Sequence, residues 1–195
     1  YSKHYQKLRG QVRELERKNA DIRKYQHTCL ANYILSLGTE VYIEQMNFKG
    51  LQARAKETTY NKNGRANRKK RFGKSIANRA PAMLVTILET KLKSCAGTEL
   101  HKVNTWSYRA SQYDHITDTY TKKLLRQRWA ELGNGDRIQR DLYSAFLLMN
   151  SQPSLQSTNR ERCSKTYSQF KSLHDQEIYR LQQTPERHLS SFGIA

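Results

Sequence analysis

Two acidic residues lie where the surrounding sequence could give them a chemical role. Glu44 follows a run of β-branched and aromatic residues at 41–43. It should therefore lie at the carboxyl end of a short buried strand, where α/β sheets usually hold catalytic groups. Asp141 lies in the first turn of a helix predicted over residues 138–149, where a carboxylate stabilises the helix dipole. By pattern alone Asp141 is a structural residue, and Glu44 still needs a partner, a metal ion and a substrate.

The composition indicates an anionic partner. The 195 residues include 35 Lys and Arg against 17 Asp and Glu, a formal net charge of +18. Solubility alone needs far less charge, whereas basic side chains that contact phosphates release counterions and so bind nucleic acid. A membrane surface is the weaker alternative, because the sequence contains no long apolar run. We therefore expect a nucleic-acid partner and no membrane association.

The cysteines argue against a disulfide framework. Three are present, scattered at Cys29, Cys95 and Cys163, so free thiols in a reducing cytoplasm are expected. The sequence contains neither a CxxC nor an HExxH motif, which are common signatures of zinc sites. The predicted location is cytoplasmic, of the nucleoid-associated prokaryotic type.

A long helix is predicted over residues 4–37, with a break near residues 19–21 as an alternative. Apolar side chains recur there at steps of three, four and seven residues, which is typical of a helical-hairpin arm or a coiled-coil-like strut. Gly38 should end the helix at the C′ position. The apolar seam consists of Tyr5, Leu8, Val12, Leu15, Ile22, Cys29, Tyr33 and Leu37.

Two strands follow, over residues 39–46 and 98–105, with a helix between them that begins near Pro81. A helix followed by a strand, twice in succession, is typical of a parallel sheet flanked by helices. The predicted fold class is therefore α/β.

Residues 52–80 are predicted to form a flexible basic loop. Glu57 is its single acid, and several Asn and Gly residues interrupt any helix. A run of charged residues often forms only a solvent-exposed surface. Here, however, the basic side chains repel one another, which favours a loop that contacts phosphates. The side chains expected to contact nucleic acid in this loop are Arg65, Arg68, Lys69, Lys70, Arg71, Lys74 and Arg79.

The second half of the chain begins with a polar, turn-rich stretch over residues 107–137. The helix over 138–149 should bury a stripe formed by Leu142, Ala145, Phe146 and Met149. A linker is predicted over 151–159, and a further helix over 160–183.

Four segments, taken in order, resemble the C-terminal part of the TnpB family. These are transposon-encoded, RNA-guided DNA nucleases related to type V CRISPR effectors, with a RuvC-like domain of the ribonuclease H fold. The segments are KYQHTCLANYILSLG, VYIEQMNFKGL, TELHKVNTWSYRASQ and DRIQRDLYSAFLLM. Each motif has low specificity, and the resemblance rests on their order and distances.

The resemblance implies that Glu44 and Asp141 are two of the family's three catalytic carboxylates. Arg140 would be the basic neighbour in the family's Arg-Asp pair and would contact nucleic acid. Carboxylate oxygens suit Mg²⁺ or Mn²⁺, and two such ions can activate water and stabilise the leaving oxygen of a phosphodiester. The implied partners are a guide RNA and a target DNA.

The sequence departs from the family at its zinc ribbon, which carries two CxxC pairs. The corresponding positions here are Asp114, Thr117, Glu131 and Asn134, so no zinc site is expected. His115 cannot replace the thiolates, and as a lone histidine it is expected on the surface. We expect either a metal-free collapsed ribbon, braced by Trp129 and Tyr120, or a poorly ordered loop.

The family's first catalytic Asp belongs to a strand that would precede residue 1. We therefore expect the chain to be the C-terminal portion of a longer protein, with the N-terminal remainder as a partner. Alone, two parallel strands would leave an open sheet edge, which a homodimer could cover.

The expected organisation has four parts. Residues 1–106 would form the RuvC-like part, and 107–137 a degenerate ribbon that binds target nucleic acid. Residues 138–150 would form the final RuvC helix with Asp141, and 151–195 a linker and helical extension.

Three functions stay open at this point. The first is the RuvC-like portion of an RNA-guided DNA endonuclease, inactive as this chain alone. The second is a nuclease-inactive, RNA-guided DNA-binding protein of the same descent. The third is a basic helical nucleic-acid-binding protein without that family link. Trp106 and Tyr108 are the first aromatic residues to test for base stacking, although core packing is expected for at least one of them.

Overall fold

The computed structural model describes residues 1–53, 56–67, 69, 73–124, 126–184 and 192–194. Its helices and strands are α1 (Lys3–Leu37), β1 (Tyr42–Glu44), α2 (Phe48–Gln52), α3 (Gly73–Arg79), α4 (Pro81–Lys91), β2 (His101–Val103), α5 (Thr105–Tyr108), β3 (Tyr113–Asp114), β4 (Thr119–Tyr120), β5 (Trp129–Glu131), β6 (Arg137–Gln139), α6 (Arg140–Met149) and α7 (Arg160–Gln182). They belong to two compact units, the first formed by Tyr1–Glu40 and Met46–Leu100, the second by Val41–Gln45 and His101–Ala195.

Helix α1 dominates the first unit and runs without a break through residues 19–21. Ser2 caps its first turn, because the serine hydroxyl accepts a hydrogen bond from the Tyr5 amide at 3.2 Å. Gly38 follows the helix, but with φ 163° and ψ 161° it is extended. The helix therefore ends at the predicted glycine, but without the left-handed conformation that is common at C′, and the chain passes directly into extended backbone.

The basic segment is more ordered than its composition indicated. Residues 73–79 form helix α3, whereas the sequence predicted only a flexible loop. Two side chains of α1 hold the end of α3: Arg23 donates to the carbonyls of Ala77 and Asn78, at 3.3 and 3.0 Å, and the His27 ring lies 2.8 Å from the Arg79 carbonyl. These bonds satisfy carbonyl groups that a helix end leaves unpaired, which is why the segment can be helical.

The second unit contains the predicted parallel strand pair. Strands β1 and β2 pair in parallel, with Tyr42 opposite His101 and Glu44 opposite Val103. The prediction of a mixed α/β chain with two parallel strands is confirmed, although both strands are shorter than expected. The Tyr42 and His101 rings stack with centroids 4.6 Å apart, so this register is also fixed by side chains.

Two antiparallel hairpins occupy the stretch that was expected to be a collapsed ribbon or a loop. Strand β3 pairs with β4, and β5 pairs with β6. The turn after β5 contains Gly135 at φ 84°, a conformation that glycine adopts without strain. The segment is therefore an ordered pair of short hairpins.

Helix α6 lies at the centre of the core of the second unit. Its buried side chains include Tyr143, Phe146 and Leu147, and the Phe146 ring stacks on Phe170 of α7 with centroids 4.4 Å apart. The predicted stripe was offset: Phe146 is buried, but Ala145 and Met149 are exposed. Position 143 joins the core because aromatic side chains of α7 cover that side of α6.

The segment over residues 151–159 is part of this core, so the prediction of a linker is wrong. Its ends form a bridge between Ser151 and Thr158. The hydroxyls of both residues lie within 3.0 Å of the Tyr108 hydroxyl, which itself donates to the Leu147 carbonyl at 2.6 Å. These hydrogen bonds hold the segment against α6.

The four-part division expected from the sequence was based on proposed functional roles, and it stays a prediction.

Among the described residues, no helix combines the length and the apolar character needed to cross a bilayer.

Candidate active site and nucleic-acid surface

Glu44 occupies the last position of β1, as its sequence context predicted. The next amide, of Gln45, donates to the Val103 carbonyl at 2.8 Å, so the backbone beyond the strand is held by β2. The Glu44 side chain is half-buried. Its carboxylate is therefore anchored at the carboxyl end of the strand pair.

Asp141 is placed by the start of α6. The buried Gln139 side chain accepts hydrogen bonds from the amides of Asp141 and Leu142, at 2.7 and 2.8 Å, and so caps the helix. The Asp141 side chain is 48% exposed. This cap fixes the backbone of Asp141 and leaves its carboxylate accessible.

The two carboxylates interact electrostatically. Burial raises the pKa of Glu44 above its usual value, and the negative charge of Asp141 raises it further. Two acids from distant parts of the sequence are therefore close enough to repel one another. A bound cation would relieve that repulsion.

The chemistry of this pair fits a divalent cation only in part. Carboxylate oxygens are the ligands that Mg²⁺ and Mn²⁺ prefer, and the repulsion between Glu44 and Asp141 favours a positive ion between them. Within the part of the chain that the structure describes, no three His, Cys, Asp or Glu side chains form a group that could hold a metal ion. The pair would supply two ligands, and water or another segment would have to supply the rest.

Arg140 does not have the exposure expected of a nucleic-acid contact. The residue is only 9% exposed. Its Nε lies 3.5 Å from Asp141 Oδ1 in an ion pair, and Nη1 donates to the Leu124 carbonyl at 3.4 Å. The expected role of Arg140 as an exposed nucleic-acid contact is therefore wrong: its side chain is buried and forms an ion pair with Asp141.

An open groove of about 440 Å³ lies beside Glu44. Trp106 forms one wall and is 92% exposed, so its ring is free to stack on a base. Arg109 and Lys122 also line this groove. Tyr108 is buried in the core, so of the two aromatic residues chosen for testing only Trp106 is available to a ligand.

A second groove, of about 550 Å³, lies on the hairpins and contains basic residues that the sequence analysis missed. Arg137 lies over the Trp129 ring, 5.0 Å from its centre. The signal was present in the sequence, because residues 121–128 contain four basic residues and no acid. The basic residues that line the groove are Lys122, Lys123, Arg128 and Arg137.

The Asp114 carboxylate joins the two hairpins. Asp114 accepts hydrogen bonds from the Ile116 amide at 2.9 Å and from the Gly133 amide, on the other hairpin, at 2.8 Å. Gly133 packs so closely that a Cβ there would lie 2.2 Å from the Thr117 methyl group. A carboxylate thus connects the turns of the two hairpins.

His115 is buried, which corrects the expectation of a surface histidine. Its Nδ1 lies 2.6 Å from the Tyr143 hydroxyl, and the ring contacts the aromatic cluster of α6 and α7. Burial lowers the pKa of His115, so the ring is neutral at physiological pH. It supports the core next to the Asp114 connection.

The two expected aromatic braces have partners. The Trp129 indole donates to the Gly193 carbonyl at 2.9 Å, and Tyr120 packs against Tyr113 with ring centroids 4.8 Å apart. The Arg109 guanidinium lies 4.6 Å from the centre of the Tyr120 ring.

The basic loop belongs to the first unit. Arg65, Lys74 and Arg79 are exposed, as a phosphate-contacting role requires. Lys69 is half-buried, and its ammonium donates to the Lys56 carbonyl at 3.0 Å, so it holds the loop together. The predicted contacts Arg68, Lys70 and Arg71 lie outside the described residues.

No protein-family model matches the sequence, and no curated protein is significantly similar to it.

Proposed function

We propose that this chain is the RuvC-like portion of an RNA-guided DNA endonuclease that cuts phosphodiester bonds with divalent metal ions. The observation that carries the proposal is the electrostatic coupling of Glu44 with Asp141 at the end of a parallel strand pair. The ordered motifs, the net charge of +18 and the basic grooves support it. A ribonuclease H fold brings acids from separate elements together in this way.

Each residue has a definite role in this proposal. Glu44 and Asp141 would hold Mg²⁺ or Mn²⁺, which when bound activates water and stabilises the leaving oxygen. Arg140 forms an ion pair with the Asp141 carboxylate. Trp106 would stack on an unpaired base of the strand beside Glu44, and the hairpin groove would follow the phosphate backbone.

The N-terminal remainder of a longer protein would supply the third carboxylate, and a guide RNA would select the target DNA. The proposed location is the cytoplasm, in association with the nucleoid.

A second candidate is a nuclease-inactive, RNA-guided DNA-binding protein of the same descent, acting in transposition or regulation. It is favoured because none of the four positions that the resemblance assigns to zinc ligands is a cysteine. A protein that no longer cleaves DNA can tolerate the loss of these ligands. It would use the basic loop and grooves in the same way. The residue at the first catalytic position of the parent protein separates the two candidates, since an Asp there favours the nuclease.

The first experiment tests cation binding by this chain. Water-proton relaxation during titration with MnCl₂ should report binding that both Glu44→Gln and Asp141→Asn weaken. Glu40→Gln is the matched control, because Glu40 is an exposed acid four residues before Glu44. Equal Mn²⁺ binding by all four proteins would remove the metal site from the proposal.

The second experiment tests cleavage by the parent protein, purified with its bound RNA and supplied with Mg²⁺ and DNA that carries the matching target. Glu44→Gln and Asp141→Asn should each slow cleavage by about 100-fold or more, with DNA binding retained. Cleavage at the wild-type rate in both variants would end the nuclease proposal. DNA binding without cleavage by the wild type would favour the second candidate.

A further inference from the structure

Helix α1 carries an apolar seam along most of its length. Tyr5, Leu8, Val12, Leu15 and Ile22 are all exposed, each by more than two-fifths of its surface. Exposed apolar side chains are ordinary when scattered, but these recur on one side of one helix. The seam therefore needs a partner.

The packed side of α1 is a different one. In the first unit Ala31 is buried, and Arg23 and His27 bind the end of α3. At 3.6 residues per turn, Arg23, His27 and Ala31 lie about 50°, 90° and 130° around the helix from the centre of the seam. Ion pairs of Arg17 with Glu14 and Asp21 occupy a third side. The seam is thus separate from the charged face, and it adjoins the packing surface only at its edge, at Arg23.

The seam follows a heptad pattern over four repeats. The d positions hold Leu8, Leu15, Ile22 and Cys29. The a positions hold Tyr5, Val12, Asn19, Gln26 and Tyr33. Val12 at a, between Leu8 and Leu15 at d, matches the pattern that favours a two-stranded coiled coil, and the polar a residues Asn19 and Gln26 would fix the register at a cost in stability.

We propose that α1 pairs with α1 of a second copy of this chain as a parallel, in-register coiled coil. In that arrangement each core residue meets its own counterpart, so the Asn19 amides pair with one another. An antiparallel arrangement would place Asn19 against an apolar d residue. This self-association goes beyond the proposed nuclease function and does not depend on it.

The charged flanks of the seam are compatible with this pairing. A parallel dimer would bring Lys18 of one copy towards Arg23 of the other, but both side chains are already engaged. The Lys18 ammonium lies 3.8 Å from a Glu14 oxygen, and Arg23 donates to the Ala77 and Asn78 carbonyls. Their repulsion across the interface is reduced accordingly.

Sedimentation of the full chain, freed of nucleic acid, tests the association. At about 10–100 μM a dimer of twice 22.9 kDa should form. Leu15→Lys should weaken the dimer at least tenfold, while Gln6→Lys adds the same charge away from the seam and should have no effect. Because both side chains are exposed, neither change should alter the helical circular dichroism signal.

Disulfide cross-linking tests the parallel orientation. Cys29 is exposed at a d position, so mild oxidation with diamide, which takes up the two thiol hydrogens, should link the two Cys29 residues. Cys29→Ser should abolish the covalent dimer, and Cys95→Ser, which removes the other exposed thiol, should not. A monomer throughout the concentration range, a dimer unaffected by Leu15→Lys, or a seam-dependent dimer without a Cys29 cross-link would each overturn the proposal.

Discussion

The connection between the two hairpins should be made by Asp114 and not by a metal ion. Replacing Asp114 with alanine removes the acceptor for both the Ile116 amide and the Gly133 amide. The first bond is local, between residues two apart, whereas the second joins segments 19 residues apart. The loss of the second bond should therefore separate the turns.

The size of the effect follows from the two bonds. Hydrogen bonds to charged groups contribute about 1.5–3 kcal/mol each, and the partial exposure of Asp114 places both at the lower end. We expect Asp114→Ala to lower the free energy of unfolding of the second unit by roughly 3 kcal/mol. Asp114→Asn keeps one acceptor oxygen, and should lose about half of that amount.

Chemical denaturation followed by tryptophan fluorescence measures this loss selectively. Trp106 and Trp129 both belong to the second unit, so their emission reports on it and not on α1. The matched control is Glu131→Ala, which removes an exposed acid from the neighbouring hairpin and should change stability by less than about 0.5 kcal/mol. EDTA should leave the wild-type midpoint unchanged.

Two results would refute this reasoning. Equal stability of Asp114→Ala and Glu131→Ala would mean that the Asp114 bonds contribute nothing to the connection. A loss of wild-type stability in EDTA, restored by zinc, would mean that a metal joins the hairpins after all.

Three further predictions concern the core and the acid pair. Tyr108→Phe should cost about 1–3 kcal/mol in urea unfolding, because the Leu147 carbonyl loses one of its two donors and the Ser151 and Thr158 hydroxyls lose the oxygen to which they donate; an unchanged midpoint would contradict this. Since the pKa of Glu44 is raised, its ionised form is disfavoured in the folded state. Glu44→Gln should therefore stabilise the protein at pH 7, and stabilise it less in an Asp141→Asn background, and a double-mutant cycle in urea unfolding measures the difference. The pKa of His115 is lower in the folded protein than in the unfolded chain. As pH falls, this histidine is therefore protonated in the unfolded chain before it is protonated in the folded protein. Stability should be complete above about pH 6.5 and decline below it, and His115→Gln should flatten that decline in urea midpoints recorded from pH 7 to 5.

The long helix of the first unit and the two strands of the parallel pair could largely be predicted from local sequence pattern. The three-and-four spacing of apolar residues predicted α1 to within one residue at its first turn. The β-branched and aromatic runs predicted the strands of Glu44 and Val103, because such side chains are favoured at pleated, half-buried positions. Their lengths were overestimated, since pairing and not propensity decides where a strand ends.

Where the pattern failed, contacts between distant segments had decided the outcome. The buried side of α6 shifted to include Tyr143 because α7 packs aromatic rings there. His115 left the surface for the same cluster, and α3 formed in a segment rich in helix breakers because Arg23 caps its end. None of these contacts leaves a periodic trace in the sequence.

The sequence by itself determined the charge, the long helix with its seam, and the residue types able to bind a cation. Only the tertiary structure decided that Glu44 and Asp141 repel one another, that Arg140 is buried beneath Asp141, and that Asp114 joins the hairpins. Residue type and periodicity are local properties, and they fix what a side chain can do. Which charges and hydrogen-bonding groups meet depends on chain segments that come together only on folding.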